Sequence, residues 1–162
     1  MRKAVFLDRD GVINVDKSYV YKIEDFEFCE GVFEALRHFQ KLGYLLIIVT
    51  NQSGIGRGYY SEEAFQNLTA WMKKELLHVK IKIDAVYHCP HRPEALCACR
   101  KPKSGMFEHA IKDFDIDVSQ SWMIGDKPSD IDAALGAGIG NTILLGKSNV
   151  NFILDTIDLI KT

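Results

Sequence analysis

Two aspartates one residue apart, Asp8 and Asp10, follow directly on an apolar run at residues 4–7, and Gly11 comes next. The run reads as a short buried strand, ended by charge and a turn residue. Both carboxylates then sit where strand becomes loop, the edge at which open α/β sheets bind ligands. Carboxylates so close repel unless a cation lies between them or one of them keeps a proton. Either solution serves chemistry. A third acid, Asp126, follows another apolar run at residues 122–124 and Gly125. Asp8, Asp10 and Asp126 together would make an oxygen-rich site for a hard cation, Mg²⁺ in preference to zinc or copper. Such a site can neutralise phosphate oxygens while one carboxylate attacks phosphorus and the other aspartate passes protons. Singly, each acid is an ordinary strand-end residue; their shared position is the signal.

Three further groups fall at comparable places. Thr50-Asn51-Gln52-Ser53 runs into Gly54, Gly56, Arg57 and Gly58. Hydroxyl, amide and backbone donors in a glycine-rich turn suit the oxygens of a phosphate, and Thr50 is the candidate ligand. The glycines lack dinucleotide-motif spacing, and no convincing ribose-binding acid follows them. Cys89, His91, Cys97 and Cys99 crowd into eleven residues. Three thiolates and an imidazole form a closed tetrahedral set for a structural Zn²⁺, although the spacing is not that of a zinc finger. His88 is next to this set, but strand alternation makes it a sheet residue, and Cys29 reads as a core thiol. Arg100-Lys101-Pro102 follows the loop at once. A pinned loop would hold both cations over the acids, Lys101 pairing with phosphate and carboxylates, Arg100 forking onto substrate oxygens. Asp130 is either an acid behind the metal or a helix-start acid matching the dipole.

The elements that must position these residues alternate. Strands are expected at 4–7, 44–50, 85–88, 122–124 and 142–145. Helices are expected at 31–42, 61–78, 103–114 and 129–137, with Ser61 capping the longest and the stops at Gly43 and Gly138. In that longest helix Phe65, Leu68, Trp71, Met72 and Leu76 mark the buried stripe. The tail from Asn149 reads as a closing helix with Phe152, Ile153, Ile157 and Ile160 on its apolar side. Residues 11–28 read as a hairpin or flap over the first strand's end. Alternation throughout predicts a three-layer α/β sandwich on a mostly parallel, Rossmann-like sheet, which sends all four polar loops to one edge.

Composition bounds the rest. The chain has 162 residues, suited to a single domain over 1–162, and is 47% hydrophobic and 26% charged with a net charge of −2. That balance excludes a disordered chain and argues against a general nucleic-acid binder. The apolar run at the start is too short for a signal peptide, and the longest one, 44–49, is too short to span a membrane. A cytoplasmic protein is expected, in which crowded cysteines favour metal over disulfide.

Asp8-Arg9-Asp10-Gly11, Thr50-Asn51, Lys101 and Gly125-Asp126 match, in order, the four motifs of the haloacid dehalogenase superfamily, over essentially the whole chain. Within it, Cys-Pro-His…Cys-x-Cys-Arg-Lys-Pro is similar to the zinc-loop branch that holds heptose 1,7-bisphosphate 7-phosphatases and histidinol-phosphate phosphatases. The resemblance implies Asp8 as nucleophile and Asp10 as acid/base. It implies Mg²⁺ on Asp8, Asp126 and the backbone carbonyl of Asp10, with Thr50 and Lys101 holding the phosphoryl group. Asn51, Ser53, Arg57, Arg100 and Lys127 would bind substrate. Asp10-Gly-Val-Ile-Asn14, Asn51-Gln-Ser-Gly-Ile55 with Arg57-Gly58, and Gly105-Met106 look like the heptose enzymes. The five residues between His91 and Cys97 look more like the histidinol-phosphate enzymes. The motif matches outweigh one loop length, so the resemblance implies removal of the 7-phosphate of D-glycero-D-manno-heptose 1,7-bisphosphate in surface-sugar (lipopolysaccharide) biosynthesis. A small phosphorylated sugar is then the expected partner, with no nucleic acid or membrane, a monomer, and no large cap domain. A non-catalytic zinc-stabilised adaptor would be expected to have lost a catalytic aspartate, and none is lost here.

Overall fold

In the computed structural model, which describes residues 1–147 and 149–161, the four residues of β1 (Ala4–Leu7) are all buried. An all-apolar strand needs cover on both faces, which is how a parallel sheet joined by helices is built. The chain continues through α1 (Val32–Lys41), β2 (Leu45–Asn51), α2 (Ser53–Gly56), α3 (Glu62–His78), β3 (Ala85–Cys89), α4 (Gly105–Phe114), β4 (Trp122–Gly125), α5 (Pro128–Gly136) and β5 (Asn141–Leu144). The strands form one parallel sheet in the order β3-β2-β1-β4-β5. From the central β1 the chain winds outward to β3, then returns to the other side of β1 as β4. The crevice between β1 and β4 is thus the switch point, where such sheets bind ligands at the carboxyl edge.

Strand alternation divides the core in two. Val5, Leu7, Leu46, Ile48 and Ile124 pack with Val32, Leu36 and Phe39 of α1 and Leu68, Met72 and Leu76 of α3. Ala4, Phe6, Ile47, Val49 and Met123 face Met106, Phe107 and Ala110 of α4 and Ala133 and Ala134 of α5. The result is the three-layer sandwich that the alternation predicts, without an inserted cap among the described residues.

The tail, the exposure of Trp71 and the turn after β2 depart from the sequence expectation, while residues 11–28 take the flap alternative and not the hairpin. The tail is a 3-10 turn, Ile153–Asp158, and not an α-helix. With three residues per turn, Ile153 and Thr156 point inward while Phe152 is 60% exposed. Residues 11–28 form an irregular flap, tied by single bridges Asp10–Asn14 and Asn14–Phe28, with one 3-10 turn at Ile23–Asp25. Trp71 of α3 is only half-buried, and what cover its ring has includes Phe26 and Phe28 of that flap. The glycine-rich turn after β2 contains a helical turn of its own, α2.

Candidate active site

β1 hands Asp8 to the switch-point crevice with its backbone N–H donating to Ile124 of β4. Asp8 is 6% exposed. Lys101, arriving from the loop after β3, is as deeply buried. Its ammonium donates to Asp8 Oδ1 at 2.9 Å, to Asp130 Oδ1 at 2.6 Å and to the Val49 carbonyl at 2.9 Å. Those three acceptors match its three N–H bonds. Asp130 Oδ2 accepts from the backbone N–H groups of Asp126 and Lys127, at 3.1 Å each. Asp130 therefore sits at the start of α5, where it caps the helix, and it also braces the lysine, a contact that the sequence did not indicate.

The carboxylate oxygens of Asp8, Asp126 and Asp130 come within 4.8 Å of one another. Asp130 takes the place in this group that the sequence reading gave to the Asp10 side chain. Three carboxylates against one ammonium leave an excess of two negative charges in a buried crevice. Burial, with Asp130 and Asp10 adding to it, pushes the Asp8 carboxyl up to about 7 against the pull of Lys101. Burial and then Asp130 push Asp126 upward too. Asp126 Oδ1 is buried with no hydrogen-bond partner. Its Oδ2 would lie 2.0 Å from a Cβ at Gly11, whose φ is +90°, so only glycine leaves room for it there. An uncompensated divalent charge deficit and an orphaned carboxylate oxygen are what a hard cation would satisfy. Asp8 and Asp126 are the side chains free to hold it, since both Asp130 oxygens are engaged.

Asp10 faces the other way. Its Oδ1 accepts from Arg9 Nη2 at 2.9 Å and Asn14 Nδ2 at 3.0 Å, and its Oδ2 from Gln52 Nε2 at 3.1 Å. Arg9 is fully buried and also donates to the carbonyl of Val20, fastening the flap to the acid. A cleft of about 560 Å³ opens over Asp10 and Lys101, and Asn51, Ser53, Arg57, Arg100 and Lys127 all line it. So do Asp16, Ser18 and Tyr19 of the flap, which the sequence alone did not single out. Thr50 is fully buried behind the residues that line the cleft, its hydroxyl accepting from Gln52 at 2.9 Å. The Asn51 amide is spent on structure: it clamps Lys101 by bonds to its backbone N–H and C=O at 3.0 and 3.2 Å.

Beside the cleft, the Cys89, His91, Cys97 and Cys99 donor atoms also lie within 4.8 Å of one another. His91 Nδ1 is 3.3 Å from Cys89 Sγ and 3.2 Å from Cys99 Sγ. Burial, then Cys99, pushes the Cys89 thiol up to about 12. Against its own desolvation, the Arg100 backbone N–H and the neighbouring thiols bring Cys97 down to about 6. His88 stays in β3, stacked 4.2 Å over Phe65 and bonded to Glu62 at 2.8 Å. Cys29 is half-buried against the core, and burial raises its thiol to about 11.

Arg9, Asn14, Gln52 and Tyr60 are the site residues that sequence reasoning passed over. Arg9 and Asn14 stood within the quoted motif, but spacing does not reveal which way a side chain turns. Tyr60 carried no signal at all.

A HAD-hydrolase-like family model matches residues 98–149. The chain is 57% identical over 145 residues, 90% of its length and 83% of the relative's, to a D-glycero-alpha-D-manno-heptose-1,7-bisphosphate 7-phosphatase of Campylobacter jejuni. It is 51% identical over 144 residues, 88% of the chain and 83% of the relative, to the beta-anomer enzyme of Helicobacter pylori. Its fold superposes with a TM-score of 0.89 on a D,D-heptose 1,7-bisphosphate phosphatase from B. bronchiseptica complexed with magnesium and phosphate. That pair is 26% identical, over 98% of this chain and 97% of the other.

Proposed function

This chain belongs to the heptose-1,7-bisphosphate 7-phosphatase family of the HAD-like phosphatases, a superfamily that uses Mg²⁺, and from that membership we propose its reaction. The substrate is D-glycero-D-manno-heptose 1,7-bisphosphate, and the 7-phosphate is the group removed. The observation that carries the chemistry is the buried Asp8–Lys101–Asp130 triad, with Asp126 beside it and Asp10 turned toward the cleft. The heptose assignment is supported by the Campylobacter match, whose 145 residues account for 90% of this chain and so leave no room for an inserted loop. The short His91–Cys97 spacing is therefore compatible with a heptose enzyme.

Asp8 is the nucleophile. Its carboxylate attacks the phosphorus, the bond to the sugar oxygen breaks, and an aspartyl-phosphate forms. Asp10 supplies the proton that the departing oxygen needs. Oδ1 already accepts two donors and Oδ2 only one, so Oδ2 is the atom with room to carry it. Water then attacks the aspartyl-phosphate while Asp10 Oδ2 takes back a proton, releasing phosphate and free Asp8. Lys101, whose three N–H bonds are taken by Asp8, Asp130 and Val49, keeps Asp8 oriented and supplies positive charge beside the phosphoryl group, which Thr50 helps to hold. Arg100, Arg57, Ser53 and Lys127 bind the substrate from the walls of the cleft. Mg²⁺ held by Asp8, Asp126 and the Asp10 carbonyl would supply the positive charge that balances phosphate oxygens. Zn²⁺ on Cys89, His91, Cys97 and Cys99 would keep Arg100 and Lys101 in place. The protein works in the cytoplasm as a single domain and a monomer; no described helix is long and apolar enough to cross a membrane.

The test is phosphate release with Mg²⁺ from both anomers of the heptose bisphosphate and from histidinol phosphate, with Asp8→Asn as the blank. A strong preference for the heptose is expected, with the blank losing on the order of 10⁴-fold or more. Preference for histidinol phosphate would overturn the substrate, and an active Asp8→Asn would overturn the nucleophile.

A further inference from the structure

We propose that Gln52 is a positioning residue for Asp10, and that the Tyr60 hydroxyl holds Gln52 in place by pairing with its carbonyl. The proposal rests on the reading of Asp10 as the acid/base and assigns what holds it. Gln52 is 3% exposed, and its Nε2 reaches Asp10 Oδ2 at 3.1 Å and Thr50 Oγ1 at 2.9 Å. A carboxylate only accepts, so the NH₂ end must face Asp10. The carbonyl end then points the other way, where the Tyr60 hydroxyl donates to it.

Tyr60 has little freedom to do otherwise. It is 8% exposed, and its ring lies flat on Tyr21 of the flap, with centroids 4.9 Å apart and planes 9° from parallel. Its edge occupies the space of the missing Gly54 side chain, where a Cβ would be 2.1 Å from Tyr60 Cε1. The order of contacts is therefore flap, Tyr60, Gln52, Asp10.

The energetic logic is asymmetric. Without the tyrosine hydroxyl the buried Gln52 carbonyl has no partner, and nothing holds that end of the amide in place. Turned over, it would set an acceptor against the ionised Asp10 Oδ2, and against the protonated form it would take up the very proton that the departing oxygen needs. An acid displaced from the departing oxygen loses its effect steeply with distance.

Leaving-group dependence separates this role from a structural one. An alkyl phosphate must have its departing oxygen protonated, whereas p-nitrophenyl phosphate departs without help. Gln52→Met keeps the shape and removes both hydrogen-bonding ends. In single-turnover measurements it should slow aspartyl-phosphate formation from the heptose bisphosphate by about 10–100-fold, while the initial burst of p-nitrophenolate, which precedes the Asp10-assisted hydrolysis common to both esters, changes less than about threefold. Tyr60→Phe should show the same selectivity in milder form, and the double variant should match Gln52→Met alone, because the tyrosine acts only through the glutamine. Equal losses on both substrates, or additive losses in the double variant, would overturn the positioning role. Should the wild type ignore the heptose, the substrate reading fails by itself, and the comparison runs on whichever alkyl phosphate it hydrolyses. A chain inert to every ester would overturn both.

Discussion

The carboxylate crevice and the thiol–imidazole loop are both charged constellations at the same sheet edge, yet they are built in opposite ways. The loop draws its four donors from eleven consecutive residues and leaves His91 exposed. The crevice draws Asp8 from the end of β1, Lys101 from the loop after β3 and Asp130 from the first turn of α5, Asp8 and Lys101 lying 93 residues apart, and buries them all. A site drawn from one loop needs only that loop to close. A site drawn from three elements exists only when the sheet is complete, and each member then depends on the others. The two are also joined in series: Lys101 is two residues beyond Cys99, and Asn51 clamps its backbone to the end of β2.

Removing the shared member should break the crevice most severely. Lys101→Met leaves Asp8 and Asp130 buried without their cation, a change that costs about 3–5 kcal/mol when one partner of a buried pair is lost. Urea unfolding without divalent ions checks this, and turnover should vanish with it. Unchanged stability would mean that the two carboxylates do not depend on the lysine. The loop should fail more locally. Cys97→Ser should lower bound zinc and raise amide hydrogen exchange over residues 89–101 while the β1–β4 core stays protected. Each kcal/mol lost would appear as a drop in Tm of about 2–4 °C. Exchange spreading through β1 would show the loop and crevice to be one cooperative unit.

A pH series sharpens the electrostatic half of the comparison. Burial raises Asp8 from 3.8 to about 7 and shifts Asp126 the same way, so the folded chain retains protons that the unfolded chain has released. Stability without Mg²⁺ should therefore be greatest toward pH 4 and fall as pH rises through about 7. Added Mg²⁺ should flatten that fall by favouring the ionised carboxylates. Denaturant midpoints at several pH values, with EDTA or with Mg²⁺, measure it; a rise in stability over this range with EDTA would contradict the burial of Asp8. The smallest effect is expected at His88→Gln. Its contact with Glu62 is half-exposed and worth about 0–1 kcal/mol, and zinc content should not change. Loss of zinc there would place His88, and not His91, among the donors.

Much of this molecule was legible because its signals are local. The apolar run before Asp8, the cap at Ser61 and the stop at Gly43 are decided by neighbours within a turn or two, and each element stands within a few residues of its expected place. The Cys-Pro-His…Cys-x-Cys spacing likewise declares itself in one loop. The tail misled because its apolar residues suit either helical period, and only contact with α1 selects the tighter one.

By itself, then, the order of residues determined the alternation of strands and helices and, through it, that the polar loops share one edge. It also determined which residues carry reactive groups. Which acid turns to Lys101 and which to Gln52 was decided only in three dimensions, because a carboxylate's orientation follows from the donors that surround it. Asp10 finds Arg9, Asn14 and Gln52, whereas Asp130, read from the chain as either an acid behind the metal or a helix-start acid, finds a buried ammonium. Arg9 and Asn14 are near neighbours along the chain, while Gln52 and Lys101 come from the loops after β2 and β3. No spacing along the chain encodes the direction in which a side chain will turn to meet them.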